Sequence, residues 1–253
     1  MVGRQDPYRG GMCWRHFERL AADYASARPP YPAVIFDVLS SEGVIGPGLR
    51  VLEVGAGAGL ATRELVASGS QVVALEPGHA LCSLLEEGLP GVQILTSRFE
   101  AADLPADGFD SVVAATSLHW VDLSVGLPKA HATLRPGGFL AVFRTIFGDD
   151  AVDTEFRDRV EHIVAARGAK TDEPPREGRP TMVELSAGGY FQPVRSERWQ
   201  WSVELTTDQV TRLFRTFSDW TDEEVHAVRV AADACGGLVT EHYQSVLHLL
   251  VRT

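Results

Sequence analysis

Short apolar runs alternate with amphipathic stretches along most of this chain. Apolar runs bounded by turn residues are typical of buried strands, and apolar residues three or four positions apart are typical of helices. The predicted strands are residues 51–54, 71–75, 92–95, 110–115, 138–144, 194–205 and 238–251. The predicted helices are residues 13–27, 33–42, 60–67, 78–87, 122–134, 151–167, 181–187, 207–217 and 222–234. This alternation predicts an α/β domain with a doubly wound, mostly parallel seven-stranded sheet.

Three glycines follow the first predicted strand, in the stretch VLEVGAGAGLAT at residues 51–62. Gly55, Gly57 and Gly59 can adopt positive φ angles, and they have no Cβ atom to keep a ligand away. A helix that begins directly after such a turn presents free N–H groups and the positive end of its dipole to that ligand. The arrangement is typical of a nucleotide- or nucleoside-binding edge of an α/β sheet.

A carboxylate, Glu76, ends the second predicted strand, about twenty residues after the glycines. In this position a carboxylate can accept hydrogen bonds from both ribose hydroxyls of a bound nucleoside. The sequence therefore predicts a nucleoside-binding domain. Both NAD and S-adenosylmethionine remain candidate cofactors at this point.

An acidic residue inside the first strand, Glu53, favours the second candidate. The stretches VLEVGAGAG at 51–59 and ALEP at 74–77 resemble motif I and post-motif I of the class I S-adenosylmethionine-dependent methyltransferases. FDSVVAATSLHWVD at 109–122 and LRPGGFLAVF at 134–143 agree with this resemblance. Within the family, the chain is most similar to the small-molecule subgroup that contains trans-aconitate methyltransferase. This subgroup is of the methyltransferase type 11 kind. The resemblance implies a Rossmann-like methyltransferase fold, S-adenosyl-L-methionine as cofactor and S-adenosyl-L-homocysteine as product.

The resemblance also implies roles for residues outside these motifs. The element Y-x-x-x-R-P-x-Y-P, with Tyr24, Arg28 and Tyr31, would be a lid over the cofactor, although packing of its aromatic rings on the core explains it equally well. Arg98 and Phe99 stand where the family holds the adenine; the acid usual there is missing, and Phe99 could instead stack on the adenine. The predicted cofactor-binding residues are Tyr24, Arg28, Glu53, Gly55, Ala56, Gly57, Glu76, Pro77, Arg98, Phe99 and Thr116.

Two further residues follow strands at the carboxyl edge of the sheet, where ligands bind in open α/β folds. His119 comes after the fourth strand and is followed by Trp120. A lone histidine is often structural, but the position of His119 makes it the predicted catalytic residue. It would act as a general base or, if it removes no proton, would only shape the pocket. Arg144 follows the fifth strand and is either a surface arginine or a guanidinium for an anionic substrate. The predicted substrate-binding residues are Tyr31, His119, Trp120 and Arg144.

Composition restricts the partners of the 253-residue chain. Its formal net charge of −11 argues against a nucleic-acid partner. Cys13, Cys82 and Cys235 show neither metal-ligand spacing nor an even-numbered disulfide framework, which favours a reducing compartment. No apolar stretch reaches membrane-spanning length, and no signal peptide opens the chain. We expect a cytoplasmic monomer or homodimer with a small-molecule acceptor and without a metal, nucleic-acid or membrane partner.

One domain is predicted over residues 1–253. Residues 13–48 would form N-terminal lid helices, 49–146 the cofactor-binding core, and 191–253 the strands and helices that complete the sheet. Between residues 147 and 190 charges become frequent, and the stretch DEPPREGRP interrupts the pattern. This segment is predicted to be a helical cap inserted over the active-site edge.

The predicted function is methyl transfer from S-adenosylmethionine to a small-molecule acceptor, either carboxylate-bearing or another O-nucleophile. Two other functions remain open. One is an NAD(P)-dependent oxidoreductase on the same sheet topology, and the other is a family member that binds the cofactor without catalysis. A serine hydrolase and a P-loop enzyme are disfavoured, because the chain has no Gly-x-Ser-x-Gly motif and no Gly-Lys-Ser/Thr after its glycines.

Overall fold

One seven-stranded sheet organises the fold in the computed structural model, which describes residues 21, 26–149, 151–167, 180–217 and 219–253. Its strands are β1 (Arg50–Val54), β2 (Gln71–Leu75), β3 (Gln93–Leu95), β4 (Phe109–Ala115), β5 (Leu134–Phe147), β6 (Phe191–Thr206) and β7 (Leu238–Arg252). They are arranged in the order β3-β2-β1-β4-β5-β7-β6. Neighbouring strands from β3 to β5 are parallel, and β7 is antiparallel to both β5 and β6. The predicted doubly wound, mostly parallel seven-stranded sheet is confirmed.

Helices connect the strands close to the predicted positions. They are α1 (Ala33–Ser41), α2 (Thr62–Ala67), α3 (His79–Gly88), α4 (Leu123–Thr133), α5 (Glu155–Ala165), α6 (Met182–Ser186), α7 (Thr207–Arg215) and α8 (Asp222–Ala234). A 3-10 turn spans Leu118–Trp120. Three of the helices, α6, α7 and α8, begin with a capping box, in which a threonine and a Glu or Gln three residues later bond each other's backbone N–H. The helix predicted at 13–27 lies almost entirely outside the described residues.

Side chains alternate between the two faces of the sheet along each strand, so the main core has two layers. In one layer, Leu52 and Val142 pack with Leu118 and with α4. In the other, Val51 and Phe143 pack with α1. Because both faces of the central strands are covered, β1 and β4 are nearly continuous apolar runs rather than alternating ones.

The fifth strand is longer than predicted at both ends. Its first residues include the Pro-Gly-Gly stretch that precedes the predicted strand. Gly137 has a φ of +73°, and the pairing between β4 and β5 shifts between Phe109 and Ser111, so this stretch is an irregularity within the strand. At the other end β4 stops at Ala115, opposite Phe143, whereas β5 continues along β7 to Phe147. The last residues of β5 therefore form one wall of a crevice above the end of β4.

A separate cluster of helices, here called the cap, covers the ends of β5, β6 and β7. It consists of α5, α7 and α8, which share a small core with Tyr243 of β7. Only α5 comes from the predicted insertion at 147–190, and α7 and α8 come from the segment after it. The short helix α6 packs instead on the main core through Leu185. None of the helices in the described ranges has the length and hydropathy that a membrane span requires.

Candidate active site

The loop after β1 approaches the loop after β4 more closely than a side chain would allow. Gly55 has a φ of +71°, and a Cβ atom on it would lie 2.5 Å from the Cβ of Ser117. The hydroxyl of Ser117 donates a hydrogen bond to the carbonyl oxygen of Val54. Position 55 therefore requires glycine both for its backbone conformation and for the close packing. The helix after this loop begins at Thr62, two residues later than predicted.

Glu76 fixes the same glycine loop from its other side. Its side chain is buried, and its two oxygens accept hydrogen bonds from the backbone N–H groups of Gly57 at 2.9 Å and of Gly78 at 2.8 Å. A carboxylate has about four acceptor lone pairs, so an oxygen that accepts a backbone N–H can also accept a hydroxyl donor. Glu76 can thus shape the loop and accept hydrogen bonds from a ligand at the same time.

Glu53 lies beneath the loop with only 1% of its surface exposed. Burial raises the pKa of Glu53 to about 8; the side chain of Thr62 opposes this rise, and the charge of Glu76 adds to it. At neutral pH the Glu53 carboxyl is therefore protonated. Its Oε2 atom is buried and has no hydrogen-bond partner among the described residues.

A cavity of about 300 Å³ opens beside the glycine loop. It is enclosed by three separate stretches of the chain: residues 28–31, the loop after β1 and the end of β4. The predicted site residues that line it are Arg28, Tyr31, Glu53, Gly55, Ala56, Gly57 and Thr116. Glu76 and Pro77 are not among the lining residues, but Glu76 accepts a hydrogen bond from Gly57, which is one of them. The structure thus brings together most of the predicted cofactor-binding residues.

Thr116 marks the end of β4 with an unusual backbone conformation. Its φ is +53°, a left-handed value that β-branched residues rarely adopt. The conformation is held by a bond from its N–H to the carbonyl of Phe143 at 2.7 Å, and its hydroxyl accepts from the hydroxyl of Tyr31 at 2.8 Å. Backbone strain of this kind concentrates at functional sites. The sequence contains no local signal for it.

Arg28 connects the cavity to the cap. Its guanidinium lies 4.8 Å from the ring centroid of Phe147 and 4.7 Å from that of Phe217, and it donates to the carbonyl of Thr216 at 3.3 Å. Such cation–π contacts are worth on the order of 1 kcal/mol each. The predicted lid residue Arg28 is therefore also part of the contact between the N-terminal segment and α7. Of the other two predicted lid residues, Tyr31 lines the cavity and Tyr24 lies outside the described residues.

His119 and Arg144 lie close enough together for the charge of Arg144 to affect the pKa of His119. Burial lowers the pKa of His119 to about 4, with a further contribution from the nearby charges of Arg144 and Arg28. His119 is thus a neutral imidazole at physiological pH, and its ring centroid lies 4.6 Å from that of Trp120. Burial also lowers the pKa of Arg144, whereas Tyr31 raises it. A guanidinium nevertheless remains charged in proteins.

Two predicted adenine-binding residues lie away from this cavity. Arg98 is exposed and forms an ion pair with Glu100 at 3.4 Å. Phe99 is 2% exposed and packs in the main core, with the ammonium of Lys129 5.8 Å from its ring centroid. Binding of the adenine by Arg98 or Phe99 stays a prediction. Over the described ranges, His, Cys, Asp and Glu side chains form no group of three that could hold a metal ion.

Comparison with known proteins finds a family match over the central part of the chain. Residues 52–142 match the family model described as a methyltransferase domain. An uncharacterized methyltransferase of Mycobacterium tuberculosis is 35% identical over 119 residues, which are 47% of this chain and 47% of that protein. The chain thus matches about half the length of this curated relative.

Solved structures show the same fold over more of the chain. A putative type II methyltransferase from Anaeromyxobacter dehalogenans has a TM-score of 0.64 at 21% identity, over 88% of this chain and 97% of that one. A phosphoethanolamine N-methyltransferase from Haemonchus contortus, solved with phosphomonomethylethanolamine and S-adenosylhomocysteine, has a TM-score of 0.54 at 12% identity. That match covers 98% of this chain and 61% of the other. At these identities the likeness concerns the fold.

Proposed function

We propose that this protein is a class I S-adenosylmethionine-dependent methyltransferase and that it methylates a small acceptor that carries an anionic group. The fold and the match of residues 52–142 support the first part of the proposal. The observation that carries the proposal is the position of Glu76. Its carboxylate bridges the N–H groups of Gly57 and Gly78 beside a cavity of about 300 Å³, at the end of the second strand, where a carboxylate can bind a ribose diol. The subgroup of trans-aconitate methyltransferase stays a prediction within this proposal.

The residues of the cavity suit S-adenosylmethionine. The close approach of Gly55 to Ser117 fixes the course of the loop, and Gly55, Ala56 and Gly57 of this loop line the cavity. The buried Oε2 of Glu53 lacks a partner among the described residues, and an ammonium group of the methionine part, directly or through a water, would supply one. A positive charge beside Glu53 would also favour its ionised form. Glu53, Gly57 and Glu76 would therefore hold the methionine and ribose parts of the cofactor.

When bound, S-adenosylmethionine supplies a methyl carbon that its sulfonium leaving group already activates. The contribution of the protein is to align the acceptor with that carbon and to exclude water. Tyr31, Thr116 and Arg28 enclose the cavity on the side that faces the end of β5. The acceptor would enter between this wall and His119.

The part of the crevice that contains His119 and Arg144, here called the acceptor side, favours an anion. Arg144 places a fixed positive charge beside neutral His119, and Arg28 adds a second charge nearby. A histidine whose pKa is about 4 is a weak base, so it is poorly suited to remove a proton from a phenol or an ammonium. A carboxylate acceptor arrives deprotonated and needs no base. We therefore assign to His119 the role of a neutral hydrogen-bonding wall for an acceptor held by Arg144.

Two measurements test the proposal. Calorimetry should show that S-adenosylhomocysteine binds with micromolar or better affinity, and methyl transfer should be measured with small acids, phenols and amines at equal concentration. We expect turnover with carboxylate-bearing acceptors. Failure of S-adenosylhomocysteine to bind would reject the cofactor assignment, and turnover with neutral acceptors alone would reject the anionic acceptor. Binding of S-adenosylhomocysteine without turnover of any acceptor would favour a non-catalytic role.

A further inference from the structure

The two edges of the sheet differ greatly in length. One edge is β3, which has three residues. The other is β6, which has sixteen, and among the residues that the structure describes only β7 pairs with it. Strands usually have roughly five or six residues, and edge strands are kept short or protected, because an open edge presents unpaired N–H and C=O groups to any further strand. The edge of β6 is thus long enough to pair with another chain.

The protective features of β6 are confined to its first residues. Pro193 cannot donate a backbone hydrogen bond, and the pairing with β7 is irregular between Pro193 and Arg195. From Ser196 to Thr206, eleven residues pair with β7 in one regular register. This segment, here called the open edge, contains neither proline nor glycine. It offers a further strand a stretch of about 36 Å.

The side chains of the open edge alternate between two faces. Trp199, Trp201 and Val203 are half-buried against the layers of their own chain. The other face carries the exposed residues Ser196, Arg198, Gln200, Ser202 and Glu204. This exposed face therefore has one positive charge near its start and one negative charge near its end. A copy of the strand that runs in the opposite direction has the complementary order of charges.

An antiparallel copy matches the open edge when the two-fold axis passes through Trp201. Arg198 of each chain then lies opposite Glu204 of the other, so the same ion pair occurs twice. Residues opposite each other in antiparallel strands have Cβ atoms about 5 Å apart, and opposite charges stabilise the pairing there. On the half-buried face, Trp201 lies opposite its own copy and Trp199 opposite Val203. Apolar side chains thus face apolar ones across the contact.

Both charged side chains can take part in such pairs. In the described ranges, the ion pairs include neither Arg198 nor Glu204. Arg198 donates to Oε1 of Gln244, but a guanidinium has five N–H donors, so this bond leaves others for a carboxylate. Moving the axis from Trp201 to Gln200 would place both charges opposite serines. The register centred on Trp201 is therefore favoured over its neighbour by charge.

We propose that β6 pairs with β6 of a second copy of the chain, antiparallel and with the two-fold axis at Trp201, so that the two sheets form one continuous sheet. About ten backbone hydrogen bonds would cross the contact, because antiparallel strands make one bond per residue on average. Strands β5 and β7 separate β6 from β4, whose end borders the cavity. Each copy would therefore keep its own site, and this inference does not depend on the proposed function.

The test reverses the charges one at a time in the full-length chain. Arg198→Glu puts like charges opposite each other in both pairs, and so does Glu204→Arg. An equimolar mixture of the two variants restores attraction in both pairs, because one chain then carries two negative side chains and the other two positive ones. The double variant Arg198→Glu/Glu204→Arg restores both pairs within one chain type. Glu87→Arg is the matched control, at an exposed position of α3, which packs beside β3 at the opposite edge.

Sedimentation should show dimers of the 27.5 kDa chain for the wild type and for Glu87→Arg. Each of the two single variants should have a dissociation constant raised about tenfold or more, because two repulsive pairs replace two attractive ones. The mixture and the double variant should again be dimers, which a variant that had merely lost its fold could not achieve. A monomeric wild type, single variants that stay dimeric, or a mixture and a double variant that stay monomeric would each overturn the inference. None of these results affects the methyltransferase proposal.

Discussion

The two sides of the crevice each keep one ionisable side chain neutral, but the neighbouring charges that contribute are negative on one side and positive on the other. On the cofactor side Glu53 is kept protonated, because burial and the neighbouring Glu76 raise its pKa to about 8. On the acceptor side His119 is kept neutral, because burial, Arg144 and Arg28 lower its pKa to about 4. Burial is the largest cause for both groups, but the neighbours that reinforce it have opposite signs.

This difference indicates what each side accepts. The neighbouring charge that shifts the pKa of Glu53 is a carboxylate, which suits the sulfonium and ammonium groups of a cationic cofactor, and Arg28 lies between the two sides because it lines the cavity and also affects His119. The fixed charges near His119 are guanidinium groups, which suit an anion. A methyl group passing between the two sides would move from a negatively to a positively charged environment. Single substitutions on each side test this contrast.

Glu53→Gln should change the pH dependence of stability on the cofactor side. The wild-type carboxyl stays protonated in the folded state up to a pH of about 8, whereas in the unfolded chain it ionises near pH 4.5, the ordinary value for a glutamate. Wild-type stability should therefore fall relative to the variant as the pH rises from 4.5 to 8, by on the order of 4 kcal/mol. Urea unfolding across this range measures it. Glu64→Gln, at an exposed carboxylate that lines the same cavity, is the control. Parallel curves for wild type and Glu53→Gln would contradict the protonated state.

His119→Asn should show the opposite sign on the acceptor side. The folded protein resists protonation of His119 down to a pH of about 4, whereas the unfolded chain takes up the proton near pH 6.5. Wild-type stability should fall relative to the variant as the pH drops from 6.5 to 4, by on the order of 3 kcal/mol. Unfolding curves over this range provide the measurement, with His79→Asn at the exposed start of α3 as control. A stability difference that does not vary with pH would show that His119 is not held neutral.

Glu76→Ala should weaken S-adenosylhomocysteine binding by roughly 1–3 kcal/mol, the scale of charge-assisted hydrogen bonds in a buried site. The variant loses the acceptor for the ribose and also the bonds that shape the loop at Gly57 and Gly78. Calorimetry measures the affinity. Glu64→Ala removes the same charge from the cavity lining and should have little effect. Equal affinities for wild type and Glu76→Ala would remove Glu76 from the cofactor site.

Arg144→Ala should raise the Michaelis constant for an anionic acceptor about tenfold, the effect of losing one charge-assisted contact, and should leave S-adenosylhomocysteine affinity unchanged. Steady-state kinetics and calorimetry separate the two quantities. The control is Arg135→Ala at the other end of β5, where the arginine pairs with Asp110 at 2.6 Å. A change in cofactor affinity with no change in the Michaelis constant would move Arg144 to the cofactor side.

The cofactor side could be predicted from the sequence because its signals are local. Gly55, Gly57 and Glu76 lie within about twenty residues, and each follows or ends an apolar run whose strand is predicted to within one residue. Close packing at the glycines and the carboxylate at the end of a strand are consequences of one supersecondary unit. The spacing of apolar residues in the strands and the helix, together with the turn residues between them, is sufficient to place the glycines and Glu76.

The acceptor side could be predicted only in part, because it depends on register between distant segments. His119 and Arg144 are recognisable as residues that follow strands, but nothing local indicates that their side chains lie close together. The shared core of the cap is likewise beyond sequence patterns, since α5 is separated from α7 and α8 by the whole of β6. Pairing a strand with the correct neighbour in the correct register is a tertiary property.

The position of Arg28 between two phenyl rings has a kinetic consequence. The same guanidinium borders the cofactor cavity and is held by Phe147, Phe217 and the carbonyl of Thr216. If residues 28–31 move away to release the spent cofactor, those contacts with the end of β5 and with α7 break in the same movement. Opening of the cofactor cavity therefore also loosens the wall of the acceptor side. We expect departure of the two products to be coupled, so that a high concentration of either product slows the release of its companion.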